Sequence, residues 1–156
     1  MIYARPTEYA IRGLSELAGR GSTNMVLLDD LVGGTDLPRD FMAKVFQQLV
    51  RARILRSSKG RGGGFALARP GHEITLMQVV EAMEGPLTLD KCVIGFEKCT
   101  DQTPCAQHDL YKPIRQRLKD YLNTTTVADL GASLRAKQTW RTVHLEQAQQ
   151  NAGEAV

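Results

Sequence analysis

Apolar positions recur at helical spacing soon after the start of the chain, at Ala10, Ile11, Leu14, Leu17 and Ala18, until Gly19 and Gly21 stop them. Thr7 is the expected N-cap, with Glu8 favourable in the first turn. A short apolar segment, VLLDDLV, runs into Gly33-Gly34. Next comes LPRDFMAKVFQQLVRARIL, where Phe41, Met42, Val45, Phe46, Leu49 and Ala52 form a continuous apolar stripe. Two short helices across a Gly-containing turn predict a helix-turn-helix.

The texture then changes. Ile54–Ser57 and Phe65–Ala68 are short and strand-like, with a glycine-rich turn between them, and predict a β-hairpin. HEITLMQVVEAMEG predicts a helix with a Thr75/Gln78 capping box, an Ile74/Val79 hydrophobic staple and a stop at Gly85-Pro86. Residues 86–108 have almost no periodicity and read as a loop. LYKPIRQRLKDYL restores it, with Leu110, Ile114, Leu118, Tyr121 and Leu122 on one face that requires a partner. TTTVADLGASL predicts a short last helix, and the Gln-rich tail from Lys137 is expected to be flexible. The expected organisation is a DNA-binding domain over 1–85, a cysteine-rich loop over 86–108, a dimerisation helix and short following helix over 109–136, and a tail over 137–156. The fold class is mainly α, a winged helix-turn-helix with a small β-hairpin wing and a long C-terminal helix.

Composition narrows the picture modestly. A chain of 156 residues with 42% hydrophobic and 24% charged residues reads as soluble and globular. No apolar run approaches the roughly 20 residues of a membrane span. The start, MIYARPTEYAIRGL, lacks a signal peptide's apolar core, so a cytoplasmic location and no membrane partner are expected. The net charge of +3 decides little, but its distribution is informative. From Arg51 to His72 there are six basic residues and no Asp or Glu, which suits a polyanion.

Double-stranded DNA is the polyanion that a helix-turn-helix takes. The second helix would present Pro38, Arg39, Asp40, Phe41 and Lys44 near base edges, with Gln47 and Arg51 further along. Lys59 and Arg61 stand at the hairpin tip among Gly60, Gly62, Gly63 and Gly64, where a bare backbone can approach phosphate or enter a minor groove. A phosphate-cradling P-loop is excluded, because GxxxxGK[ST] is absent and a strand follows the glycines.

Every cysteine of the chain lies in CVIGFEKCTDQTPCAQH, spaced Cys92-x6-Cys99-x5-Cys105-x2-His108. An odd number of thiols in a reducing compartment argues against a disulfide framework. Buried small hydrophobes fit a polar loop poorly. A Cys–His nucleophile needs an orienting third group that the sequence does not reveal, and a thiol-redox enzyme lacks CxxC. Thiolates and imidazole suit iron–sulfur clusters and zinc, and spacing alone admits both. Position between a DNA-binding module and an association helix favours a cluster, because ligation there can bias dimer geometry.

These residues together resemble the winged-helix, iron–sulfur-cluster transcription regulators of the IscR, NsrR and RirA type. The resemblance runs from about Ile2 to Leu134 through TEYAIRGLSELA, the GRGGGFAL wing, ITLMQVVEAMEGP and the three-cysteine loop followed by HDLYKPIRQRL. It implies a homodimer paired through the long C-terminal helix, a pseudo-palindromic operator, and a cluster on Cys92, Cys99 and Cys105. The fourth ligand it implies is His108 as in the IscR type, or Glu8 of the partner subunit as in the NsrR type. A [2Fe–2S] cluster is expected with His108, and a [4Fe–4S] cluster is the other form; zinc is the alternative metal. The first cysteine gap is six residues where five is commoner in IscR-like members. The implied function is a regulator whose operator affinity follows its cluster, with no enzymatic activity.

Overall fold

The computed structural model describes residues 3–21, 24–86, 89 and 91–139. Its first helix, α1 (Arg5–Gly19), starts two residues before the expected cap. Pro6 occupies the first turn, where its missing N–H costs nothing. Thr7 is not the N-cap: it is fully buried, and its hydroxyl donates to Glu84 Oε1 at 2.6 Å. The same oxygen accepts from the Ala4 backbone N–H at 3.0 Å. A carboxylate 77 positions away therefore caps α1, a partner that no local pattern announces.

The short α2 (Leu28–Val32) and the longer α3 (Arg39–Arg51) follow, across the turn at Gly33-Gly34. Leu14, Leu31, Met42, Phe46 and Leu49 meet at the centre of the core. Phe41 and Ala52, expected in the same stripe, are exposed. After α3 the chain reverses at Arg53, whose φ of 59° is left-handed. Ile54 N–H then closes on Leu49 O at 3.0 Å. That reversal delays the first strand by one residue, so that β1 is Leu55–Ser58, while β2, Gly64–Leu67, starts one residue earlier than expected. They pair antiparallel, Leu55 opposite Leu67 and Ser58 opposite Gly64. Val26 adds a third, single-residue rung against Phe65, with N–O separations of 2.9 and 2.8 Å.

A 3-10 turn (Gly71–Glu73) leads into α4 (Leu76–Glu84), where Thr75 and Gln78 form the expected capping box and Gly85 ends the helix at a φ of 83°. The cysteine loop connects to α5 (His108–Thr124). Leu122 of α5 packs with Leu76 and Val80 of α4, which ties this helix to the domain. A last helix, α6, covers 127–139. It crosses the end of α1, where Arg135 donates to the carbonyls of Ala18 and Gly19 at 3.1 and 3.0 Å. Ala18 O also accepts the Gly21 N–H at 3.1 Å, so the guanidinium adds a second donor to the carbonyls of α1's last turn. The remainder of the expected flexible tail, from 140, lies outside the described residues. Among the described residues no helix is long and apolar enough to cross a membrane.

Candidate nucleic-acid interface and metal centre

Helix α3 has two faces. Met42, Val45, Phe46 and Leu49 are buried, while Asp40, Lys44, Gln47 and Arg51 stand exposed at steps of four, three and four residues. Such steps keep side chains in one row on a helix. Pro38 precedes the helix in extended conformation, as its N-cap residue, and is also exposed. Arg39 points back to α2, where Asp29 takes its guanidinium (Nη2–Oδ2 3.3 Å), and Asp40 lies 3.6 Å from it. Hydrogen bonding from Arg39 holds the Asp29 carboxyl below the usual carboxylate range. Phe41 leaves the row: its ring meets Tyr9 of α1 edge-on at 5.2 Å. Of the residues expected at base edges, Phe41 is thus the one occupied in joining α1 to α3.

The wing carries Lys59, Arg61 and Gly62 at its exposed tip. Gly60 and Gly62 take φ values of 86° and 78°, which permit a turn closed by Gly63 N–H to Gly60 O at 2.9 Å. The ring of Phe65 sits edge-on against Phe46 at 5.1 Å, fastening β2 to α3. Not all of the basic block reaches outward. Arg69 donates to Gln78 Oε1 at 2.8 Å and to Arg53 O at 3.3 Å, bracing the base of the hairpin.

In the cysteine loop, residues 92–96 turn tightly, with Gly95 N–H on Cys92 O at 3.1 Å and Cys92 N–H on Phe96 O at 3.3 Å. Backbone amides, led by that of Ile94, converge on the Cys92 sulfur and lower its pKa, with help from Cys105. The turn brings Cys92 Sγ to 3.6 Å from Cys105 Sγ. The other two residues pair separately: Cys99 Sγ lies 3.3 Å from His108 Nδ1. His108 opens α5 and is 3% exposed, and its Nε2 faces Asp101 Oδ1 at 2.7 Å. Lys112 Nζ closes on both oxygens of Asp101, at 2.6 and 2.8 Å. Lys112 first, then His108, holds the Asp101 carboxyl below its ordinary range.

Three thiols and one imidazole are therefore gathered in two pairs. Among the described residues no three His, Cys, Asp or Glu side chains converge as a single ion would require. Glu8 stands half-buried in the first turn of α1 and takes no part in either pair. Asp101, Lys112, Asp29 and Val26 were not read as functional from the sequence. Lys112 carried a usable signal, four residues after His108 and hence on its face of a helix; Asp101 carried only its place between two cysteines.

Comparison with known proteins identifies the family and the fold. Residues 3–133 match the family model Rrf2, described as an iron-dependent transcriptional regulator. An HTH-type transcriptional regulator of Mycobacterium tuberculosis is 35% identical over 124 residues, covering 79% of this chain and 76% of that one. The regulator IscR of Vibrio parahaemolyticus is 28% identical over 122 residues, covering 78% of this chain and 72% of its own. Among solved structures, CymR, the global cysteine regulator of B. subtilis, superposes with a TM-score of 0.71 at 21% identity, over 85% of this chain and 98% of that chain. IscR of T. potens gives 0.65 at 19% identity, over 88% and 91% of the two chains. These two likenesses establish the winged-helix fold. With the family match over most of its length, the chain belongs to the Rrf2 family and is a DNA-binding transcription regulator, not an enzyme.

Proposed function

We propose that the protein is a homodimeric regulator whose affinity for a pseudo-palindromic operator follows the state of an iron–sulfur cluster held by Cys92, Cys99, Cys105 and His108. The observation that carries this reading is the pairing of the four donors, at 3.6 Å for Cys92 with Cys105 and 3.3 Å for Cys99 with His108. Two sulfurs bonded at about 2.3 Å to one tetrahedral ion stand roughly 3.7 Å apart, and a shorter metal–nitrogen bond reduces the separation. Each pair thus has the spacing of two ligands on one iron. Two pairs suit [2Fe–2S], in which each iron takes two protein ligands, better than [4Fe–4S]. Zinc needs all four donors about one point, so it fits less well. With His108 completing the second pair, Glu8 of the partner subunit is not required. When bound, such a cluster supplies a one-electron couple and a site open to attack by oxidants or nitric oxide.

The chain's own residues connect this centre to DNA. His108 is both a ligand and the first residue of α5, so its engagement fixes where that helix begins. Leu110, Ile114 and Tyr121 of α5 are 76%, 59% and 46% exposed, an apolar row that a second copy would cover. A change at the first turn of α5 therefore acts on the interface that sets the spacing of two recognition helices. Lys44, Gln47 and Arg51 face the major groove, Arg39 flanks them, and Lys59 and Arg61 grip phosphate or enter the minor groove.

Protein purified anaerobically is expected to be brown, with visible charge-transfer absorption, and to lose or gain operator affinity on removal of iron. Colourless protein with one zinc per chain overturns the cluster reading. Lys59→Ala is expected to weaken binding to all sequences and to make the log–log salt slope shallower by about 0.9 for each subunit of the dimer. An unchanged slope removes Lys59 from the phosphate contacts. Ile114→Asp, by burying an unpaired charge worth about 3 kcal/mol, is expected to raise the dimer dissociation constant roughly 100-fold. Sedimentation at micromolar concentration reads this directly, and a dimer of unchanged strength assigns pairing to another surface.

A further inference from the structure

We propose that Asp101, braced by Lys112, is a positioning residue that fixes the tautomer and orientation of His108 as a metal ligand, an inference that rests on the cluster reading above. The His108 ring is 3% exposed, and both of its nitrogens face a partner. An ionised carboxylate only accepts hydrogen bonds, so the 2.7 Å contact with Asp101 Oδ1 places the ring proton on Nε2. In the neutral ring that metal ligation requires, the lone pair is thereby left on Nδ1, the nitrogen that faces Cys99 Sγ at 3.3 Å. An imidazole with the opposite tautomer would direct an N–H at the thiol and could not bind a metal there.

Lys112 completes the device. Its ammonium reaches both oxygens of Asp101, at 2.6 and 2.8 Å, and so limits rotation of the carboxylate. His108 and Lys112 are one helical turn apart on α5, so a single element delivers the ring and the brace to the same acid. Asp101 is 72% exposed and Lys112 49%, so their ion pair alone adds little to stability. Its value lies in direction. Donation from Nε2 to a carboxylate also makes the imidazole a stronger electron donor, which favours the oxidised metal and lowers the reduction potential.

The test compares wild type, Asp101→Ala and Asp101→Asn, each purified anaerobically and loaded with iron and sulfide. Asp101→Ala is expected to lose its cluster to a chelator about 10-fold faster, at the low end of the 10–100-fold range for such supporting residues. Its midpoint potential should move positive, and the histidine nitrogen couplings in the reduced-state EPR spectrum should change. Asn, which still offers an accepting oxygen in the same place, should restore part of each effect. Repeating Asp101→Ala in a His108→Cys background should give no further change in potential, because no ring remains to orient. Lys112→Gln, a solvent-facing change, should show the same trends more weakly. Wild-type potential, nitrogen couplings and chelator lifetime in Asp101→Ala would overturn the positioning role while leaving the cluster in place. Wild-type protein that takes up no cluster, or a cluster without nitrogen coupling, overturns both readings together.

Discussion

Cys92→Ala, purified without oxygen and supplied with iron and sulfide, is expected to be nearly colourless and to hold little iron. Cys92 sits 3.6 Å from Cys105, and its sulfur is surrounded by the amides of the 92–96 turn, which stabilise a thiolate before any metal arrives. In the proposed two-iron centre, its removal would leave one iron with Cys105 as its sole protein ligand. The loss should exceed the 10–100-fold that follows from disturbing residues behind the ligands. The winged helix should survive the change. Cys92 is buried but lies outside both hydrophobic clusters that hold the domain together. Low-salt binding to non-operator DNA is therefore expected to match that of metal-free wild type. Iron and sulfide analysis alongside the visible spectrum provides the check, and wild-type colour in Cys92→Ala removes this residue from the ligand set.

The second large effect is expected at the wing. A side chain at Gly64 would place Cβ 2.3 Å from Val26 O and 2.6 Å from Val26 C, at a φ of 130°. Both neighbours are backbone, so no flexible side chain can yield. Gly64→Val must part the Val26–Phe65 rung and its two hydrogen bonds, each worth about 0.5–1.5 kcal/mol, and carry about 1–3 kcal/mol of backbone strain besides. The total is roughly 2–6 kcal/mol, a large share of the stability usual for a domain. At about 2–4 °C per kcal/mol for a chain of this length, thermal unfolding should fall by about 4 °C or more. In the surviving folded fraction Lys59 and Arg61 are no longer aimed, and, if both contact phosphate as proposed, the salt slope of DNA binding should drop by nearly two units for each subunit. Wild-type melting in Gly64→Val would show that the rung contributes nothing to the domain.

Which parts of this structure the sequence revealed follows from how local each cause is. Helix α4 was readable to the residue, since Thr75, Gln78 and Gly85 are its boundary chemistry and all lie within the element or beside it. The hairpin was readable, but its first strand starts one residue late, because the left-handed turn at Arg53 occurs at a residue type that rarely adopts it. The N-terminus of α1 was misread for a different reason. Thr7 has the composition of a cap, but its hydroxyl is claimed by Glu84, and that contact exists only once α4 has packed on α1. The four residues gathered in the cysteine loop were named from their spacing and from the family resemblance, with Glu8 as the competitor of His108. Their division into Cys92 with Cys105 and Cys99 with His108 was not, because spacing in an aperiodic loop does not determine which side chains meet. The Asp101 contact is hidden likewise, as is the single rung at Val26, too short to leave an alternating pattern.

That rung has one more consequence. Val26 precedes α2, Phe65 belongs to the wing, and the Phe65 ring rests on Phe46 of the recognition helix. Wing, turn and helix are thus bolted into one reading head, with no hinge between the groups proposed to touch the two grooves. Each head should recognise its half-site with the same grammar in every state of the protein. In the proposed dimer a signal is then free to change only the distance and angle between heads, so operators differing in the spacer between half-sites, not in the half-sites themselves, should respond most differently to it.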